Sequence, residues 1–388
     1  MPPAIRDSVA PDDGFSLTLV FYISGHGFGH ASRDVEILHA VASLAPDARI
    51  IIRSAVQPGL LQRTLRVSYE LRPGACDTGI VQRSSIEQDD AATVDAAIGF
   101  YANYEPRIAA EVAALAGDRV SIVVGDIAPI AFEVASRLGV PGLAVGNFTW
   151  DWIYETHPGL TARAPWLVPT LRASYAKATL ALRMPFPGGF EVFPHVRAVP
   201  LVARHPSRSR AETRSHFGLP ADRPIALLSF GGYGLPDLDI RGIDALDRWT
   251  VVTTDRIRAS SMPPPAHVHL IPEEAFIATG FRYEDLVGAV DAVLTKPGFG
   301  ITAECITTGT AMLYTSRGEF REYDVLVRET PRYVRTRFIS NADLLAGRWK
   351  DALEALVGQP APSERLPANG AEVIAQAIVS AADASSSG

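Results

Sequence analysis

His26 and His30 lie four residues apart in FYISGHGFGHASR (21–33), alternating with Gly25, Gly27 and Gly29. Imidazole is the side chain that ordinarily titrates near neutral pH, so either histidine can take or give a proton there. The glycines let the backbone turn tightly and come close to a ligand. A phosphate loop would carry Lys where these histidines stand, so the stretch reads as a catalytic loop more than a nucleotide fingerprint. A second constellation is KPGFGITAE (296–304), with Gly298 and Gly300 just ahead of a helical segment. The free N–H groups and positive end of such a helix suit a diphosphate. Thr302 can add a hydroxyl, Glu304 can accept from a ribose, and Lys296 reads as a phosphate contact or an exposed side chain. The structural alternative is a tight βα turn with a solvent-facing Glu.

Both loops need a strand before them and a helix after. LTLVFYI runs into the first, with RDVEILHAVASL following; AVDAVLT runs into the second. Between them, ARIIIRSA (48–55), VSIVVGD (120–126) and VPGLAVGNF (140–148) read as buried strands, PIAFEVASRLG (129–139) as a helix closed by Gly139, and 93–115 as helix interrupted near Pro106. PIALLSFGGYG (224–234), WTVVTTD (249–255), HVHLI (267–271) and AMLYTS (311–316) repeat the plan. Short β-rich runs separated by helices predict parallel sheets covered on both faces. The expected fold is α/β, with two Rossmann-like, doubly wound domains facing a central cleft where ligands bind.

A chain of 388 residues suits two domains. Its 47% hydrophobic and 20% charged composition is that of an ordinary globular protein, and the net charge of -7 argues against nucleic acid as partner. Arg328, Arg332, Arg335 and Arg337 make a local basic group that reads as a solvated face. Cys76 and Cys305 are far apart and fit neither a disulfide framework nor a zinc site. No apolar run approaches the roughly 20 residues of a membrane span and the first residues hold no apolar signal core, so a cytoplasmic protein is expected. The expected boundaries are a disordered 1–16, a first domain over 17–199, a Pro-, Arg- and Ser-rich linker over 200–223, a second domain over 224–365, and a carboxyl-terminal helix with a frayed tail over 366–388.

The run from Asp291 to Asp324, with its PGxGxTxxE core, TGTAMLYTS and EFREYD, resembles the donor-binding signature of nucleotide-sugar glycosyltransferases of the GT-B fold. SGHGFGHASR is similar to the acceptor-side loop of that family, in which a His before the first helix is the base, and VSIVVGDIAPIAFEVASRLG resembles the segment that delivers its Asp. SGHGFGHASR, DTGIVQ, GNFTWDWIY and TSRGEFREYDVLV together are similar to the amino-terminal, non-kinase region of plant L-arabinokinases; the kinase half of those proteins has no counterpart here.

The resemblance implies His30 as general base and Asp126 as its partner, in an inverting, metal-independent transfer from a nucleoside diphosphate sugar, a UDP-sugar, to a hydroxyl acceptor. It implies no cofactor beyond that co-substrate. Donor contacts are expected at Gly231, Gly232, Tyr233, Phe281, Tyr283, Leu286, Lys296, Gly298, Phe299, Gly300, Thr302, Glu304, Glu322 and Tyr323. The family's acid-amide pair reads Glu322-Tyr323, acid kept and amide changed. Acceptor contacts are expected at His26, Gly27, Phe28, Arg33, Asp77, Gln82, Trp150 and Asp151, the acceptor being an unidentified small molecule or glycan. Trp150, Trp152 and Tyr154 stack on an acceptor or pack in the core. His26 and His30 show no third metal ligand, and His267 and His269 read as packing. Alternatives on the same fold are a nucleotide-sugar epimerase and a non-catalytic sugar-nucleotide sensor.

Overall fold

The computed structural model describes residues 16–386, apart from 232–234, 236, 240–242, 244–245, 247, 255–264, 273–274 and 277–278, with the backbone alone for Gly27, Phe28 and Ser386. The expected disordered 1–16 therefore lies almost wholly outside the described residues. The chain forms two compact units, one of residues 1–81, 89–202 and 367–388, the other of 82–88 and 203–366.

In the first unit seven parallel strands stand in the order β3-β2-β1-β4-β5-β6-β7. They are β1 (Thr18–Ile23), β2 (Arg49–Ser54), β3 (Glu70–Pro73), β4 (Ile122–Asp126), β5 (Gly142–Phe148), β6 (Leu180–Gly188) and β7 (Val196–Ala198). All six residues of β1 and all five of β4 are buried, as helices on both faces require. The order reverses direction between β1 and β4, which lie side by side with Ile23 opposite Asp126. Such a switch point opens a crevice beyond the carboxyl ends of the strands, where doubly wound sheets bind ligands.

The second unit repeats the plan as β10-β9-β8-β11-β12-β13, again parallel. Its strands are β8 (Ile225–Ser229), β9 (Thr250–Thr253), β10 (Val268–Leu270), β11 (Ala292–Thr295), β12 (Ala311–Tyr314) and β13 (Thr336–Phe338). One face buries Leu228, Trp249, Leu294, Leu313 and Trp349, the other Leu227, Val252, Leu286, Val293 and Met312. The switch falls between β8 and β11, the two strands that feed the glycine loops at 231 and 298.

Two boundaries differ from expectation, and the final helix finds its unit. The predicted linker holds a helix, Arg210–His216, with a capping box between Ser209 and Glu212, and it belongs to the second unit from Ala203 on. Residues 82–88, expected in the first domain, fold with the second unit, where Ser85 Oγ donates to the Phe230 carbonyl at 2.6 Å. The final helix, Gly370–Ser386, belongs to the first unit and packs on the helix Gly27–Leu44. The helical stretch 93–115 does break, but at Ala102 and Asn103, between helices Asp90–Tyr101 and Tyr104–Leu115; Pro106 falls in the first turn of the second, where no N–H is needed.

Candidate active site

In the first unit His30 lies in the first turn of the helix that follows β1, and Asp126 is the last residue of β4. His30 Nδ1 is 2.9 Å from Asp126 Oδ1, the two residues being 6% and 1% exposed. Arg33, one turn further along the helix, donates Nε to Asp126 Oδ2 at 2.6 Å, Nη2 to Oδ1, and Nη1 to Asn147 Oδ1 at 2.8 Å. Burial pushes the Asp126 carboxyl up, but the Arg33 guanidinium and His30 outweigh it and hold the group well below the usual carboxylate range. Arg33 Nη2 also lies 2.9 Å from His30 Nδ1, but it donates to Asp126 Oδ1, and the ionised Asp126 favours the His30 tautomer with the proton on Nδ1, which leaves the lone pair on Nε2.

Asp77 is the second carboxyl of this group, accepting from Ser24 Oγ at 2.9 Å and Trp150 Nε1 at 2.8 Å. Burial pushes it up to about 6 against the opposing pull of His30 and of its two donors. The loop after it presses on His26: Gly79 has φ 58°, and a Cβ there would stand 2.4 Å from His26 Cγ. His26 in turn meets Trp150 edge-on at 5.7 Å.

Several expected acceptor contacts have other partners. Arg33 is 4% exposed and its guanidinium is taken up by Asp126 and Asn147. Trp150 is fully buried, stacked on Tyr154 at 5.7 Å, so it is core. Asp151 is 3% exposed and pairs with Arg172 at 3.0 Å. Gln82 lies in the second unit and accepts from Lys296 Nζ at 3.2 Å, beside the other loop. Gly27 and Phe28 open the helix that carries His30.

In the second unit, Gly298 is the N-cap of the helix Phe299–Thr308, with Phe299 largely buried at its start. A Cβ on Gly298 would meet nothing nearer than Arg317 Nη1 at 3.9 Å, and one on Gly300 nothing within 4 Å. Neither packing nor a positive φ demands glycine at these two positions. Two cations converge here. Arg317, which the sequence alone does not mark, is buried, donates Nη1 to the Pro297 carbonyl at 3.1 Å and lies 3.4 Å from Glu322. Lys296 is pushed down to about 7 by burial and then by Arg317.

The other expected donor contacts divide. Thr302 is fully buried with Oγ1 4.0 Å from Met312 Sδ, so its hydroxyl faces the core. Leu286 is likewise core. Glu304, 1% exposed, accepts from Arg204 Nε at 2.7 Å, while the Arg204 Nη1 sits 3.5 Å from Glu284. Tyr283 donates to Ser229 Oγ at 2.5 Å, Phe281 stacks on His216 at 4.1 Å, and Tyr323 meets Tyr314 at 6.4 Å. Gly231 has φ 68°, in the left-handed region; Gly232 and Tyr233 lie outside the described residues. Neither arginine is marked as a site residue by its local sequence: Arg204 meets Glu304 100 residues away and Arg317 meets the Pro297 carbonyl 20 residues away, pairings that only the fold brings about.

Elsewhere, His267 Nε2 bonds the Ile243 carbonyl at 3.0 Å, a packing role. Arg332 of the basic group is paired with Glu329 and Glu364. Among the described residues no helix is long and apolar enough to cross a membrane.

Two doubly wound parallel sheets in tandem, each with a glycine loop at its switch point, define the GT-B fold of glycosyltransferases, and solved structures share it. A glycosyltransferase of kitacinnamycin has a TM-score of 0.60 at 16% identity, over 95% of this chain and 97% of that one. VinC, solved with dTDP, has 0.55 at 16% over 95% and 96%. UGT89C1 of Arabidopsis thaliana, solved with UDP, has 0.57 at 12% over 96% and 99%. Among curated proteins, the L-arabinokinase of Arabidopsis thaliana is 25% identical over 368 residues, 93% of this chain. The chain spans 34% of that protein's length, about a third. No family model matches the chain.

Proposed function

We propose that this protein is an inverting glycosyltransferase that moves a sugar from a nucleoside diphosphate, UDP, to a hydroxyl acceptor without a metal ion. The observation that carries the reading is the His30–Asp126 pair at the switch point of the first sheet. Asp126 holds the Nδ1 proton, and His30 Nε2 takes the proton of the acceptor hydroxyl. The freed oxygen attacks the anomeric carbon as the bond to the diphosphate breaks on the opposite face, and His30 ends as an imidazolium beside the Asp126 carboxylate. The leaving diphosphate carries away the electron pair.

The second unit supplies the charge that receives it. Open space over Gly298 and Gly300 at a helix N-terminus suits a diphosphate, and Lys296 and Arg317 add two cations there. The structures solved with UDP and dTDP support a nucleoside diphosphate as ligand of this fold. In this reading Glu322 is held by Arg317 for the sugar, and Asp77 and His26 face the acceptor.

Isothermal titration with UDP, dTDP and other nucleoside diphosphates tests the donor assignment. Micromolar to millimolar binding of at least one is expected; binding of none overturns it. Incubation with labelled sugar nucleotides then separates the reactions: a transferase yields free diphosphate with an acceptor present, an epimerase yields an isomer, and a sensor leaves the compound intact.

A further inference from the structure

Asp34 is fully buried, and neither of its carboxyl oxygens has a hydrogen-bond donor among the described residues. As a carboxylate it would be a bare anion out of water, beside a second carboxylate, Asp126. The neighbouring cation relieves it only in part: the Arg33 charge pulls the group down, but its nitrogens are directed at Asp126, Asn147 and His30, and none donates to Asp34. We infer that Asp34 stands as a neutral carboxylic acid whose O–H hydrogen-bonds Asp126, which makes it a positioning residue for the His30–Asp126 pair.

The acceptor count fits. A carboxylate offers about four lone-pair directions. Asp126 receives Arg33 Nε, Arg33 Nη2 and the His30 Nδ1 proton, which leaves one for Asp34. The proton belongs to Asp34 and not to Asp126, because Asp126 has those three donors and Asp34 has none. Burial first, then Asp126, raises the Asp34 carboxyl well above its ordinary range. The charged or titratable groups that bear on it are Asp126 from β4 and Arg33 from its own helix, with His30 acting through Asp126. The helix Gly370–Ser386 packed on that helix buries apolar side chains, Ile374, Ala375, Ile378 and Ala382. Losing the Asp34 proton would set two anions side by side and pull Arg33 from its place, so the acid keeps Asp126 aligned on His30.

The inference rests on the proposed dyad only for its catalytic consequence, and its test reads protonation without substrate. Infrared difference spectra of wild type and D34N at pH 8, where Asp77 is ionised, should show the carbonyl stretch of a protonated acid that D34N lacks. Urea denaturation should show D34N gaining on wild type as pH rises from 4 to 8: a carboxyl with a raised folded value stabilises below its unfolded value near 3.8 and loses that contribution as pH climbs. Ring nitrogen-15 spectra should keep His30 in the Nδ1–H tautomer in D34N and show mixed tautomers in D34A. Absence of the acid band, with D34N losing ground as pH rises, would mean an ionised Asp34 and overturn the proposal. Failure of every nucleoside diphosphate to bind would remove the donor assignment and leave this proposal standing.

Discussion

At the scale of single residues, Asp77 and Lys296 have values shifted towards neutrality, and each carries its own pH dependence. Asp77 has a folded value of about 6 against an ordinary 3.8. Its contribution to stability is complete below about 3.8 and is lost as pH rises through about 6, about 3 kcal/mol in all at about 1.4 kcal/mol per unit. Urea denaturation between pH 3 and 7 should show this decline, and D77N should lose less stability than wild type over that range by about this amount. Lys296 behaves the other way about as a ligand: with its value pushed down to about 7, it gains charge as pH falls. UDP affinity should therefore tighten from pH 8 to pH 6. K296M should weaken UDP by about 10- to 100-fold, the equivalent of one charged hydrogen bond, and flatten that dependence, both read by titration calorimetry. The positions of His30, Asp126 and Lys296 stood out in the sequence because each lies where a strand gives way to the following turn or helix: Asp126 ends β4, Lys296 follows β11, and His30 lies in the first turn of the helix after β1. Arg317 and Asp34 did not, since a buried Arg and a buried Asp carry no pattern of their own; only their neighbours in space reveal them.

At the scale of elements, the site stands on loops braced by packing. Trp150 joins helix Trp150–Glu155 to the Asp77 loop through its Nε1 proton and fills the core with its ring. W150A should cost about 3–5 kcal/mol by thermal or chemical denaturation, from the cavity and the lost bond together. G79A should cost about 1–3 kcal/mol, because φ 58° strains an L-residue and the new methyl meets the His26 ring. Strands buried on both faces, such as β1 and β4, declared themselves as continuous apolar runs. Strand β6 did not, since LALRMPFPG contains Pro185 and Pro187, and β7, all of whose residues are exposed, offered no apolar signal. The expected linker hid a helix because Pro, Arg and Ser dominate its composition while its capping box occupies only four residues.

At the scale of the molecule, one sheet order used twice explains why the strand-loop-helix plan of 18–44 recurs at 292–308, and why a strand again runs into a glycine turn at 225–231. The domain count was readable from that repeat; the exchange of segments was not, because no local pattern says that a final helix returns to the first unit. Removing residues 367–388 should lower hydrogen-exchange protection of β1 and β4 while leaving UDP affinity in place, although the cut follows the second unit in sequence. The division of labour between the units is measured most directly on H30A, by UDP titration beside UDP release from a UDP-sugar with a panel of hydroxyl acceptors. UDP affinity within about twofold of wild type and a loss of release of about 10²- to 10⁴-fold are expected. Retained turnover in H30A, or loss of UDP binding with it, would contradict a base in the first unit and a donor cradle in the second.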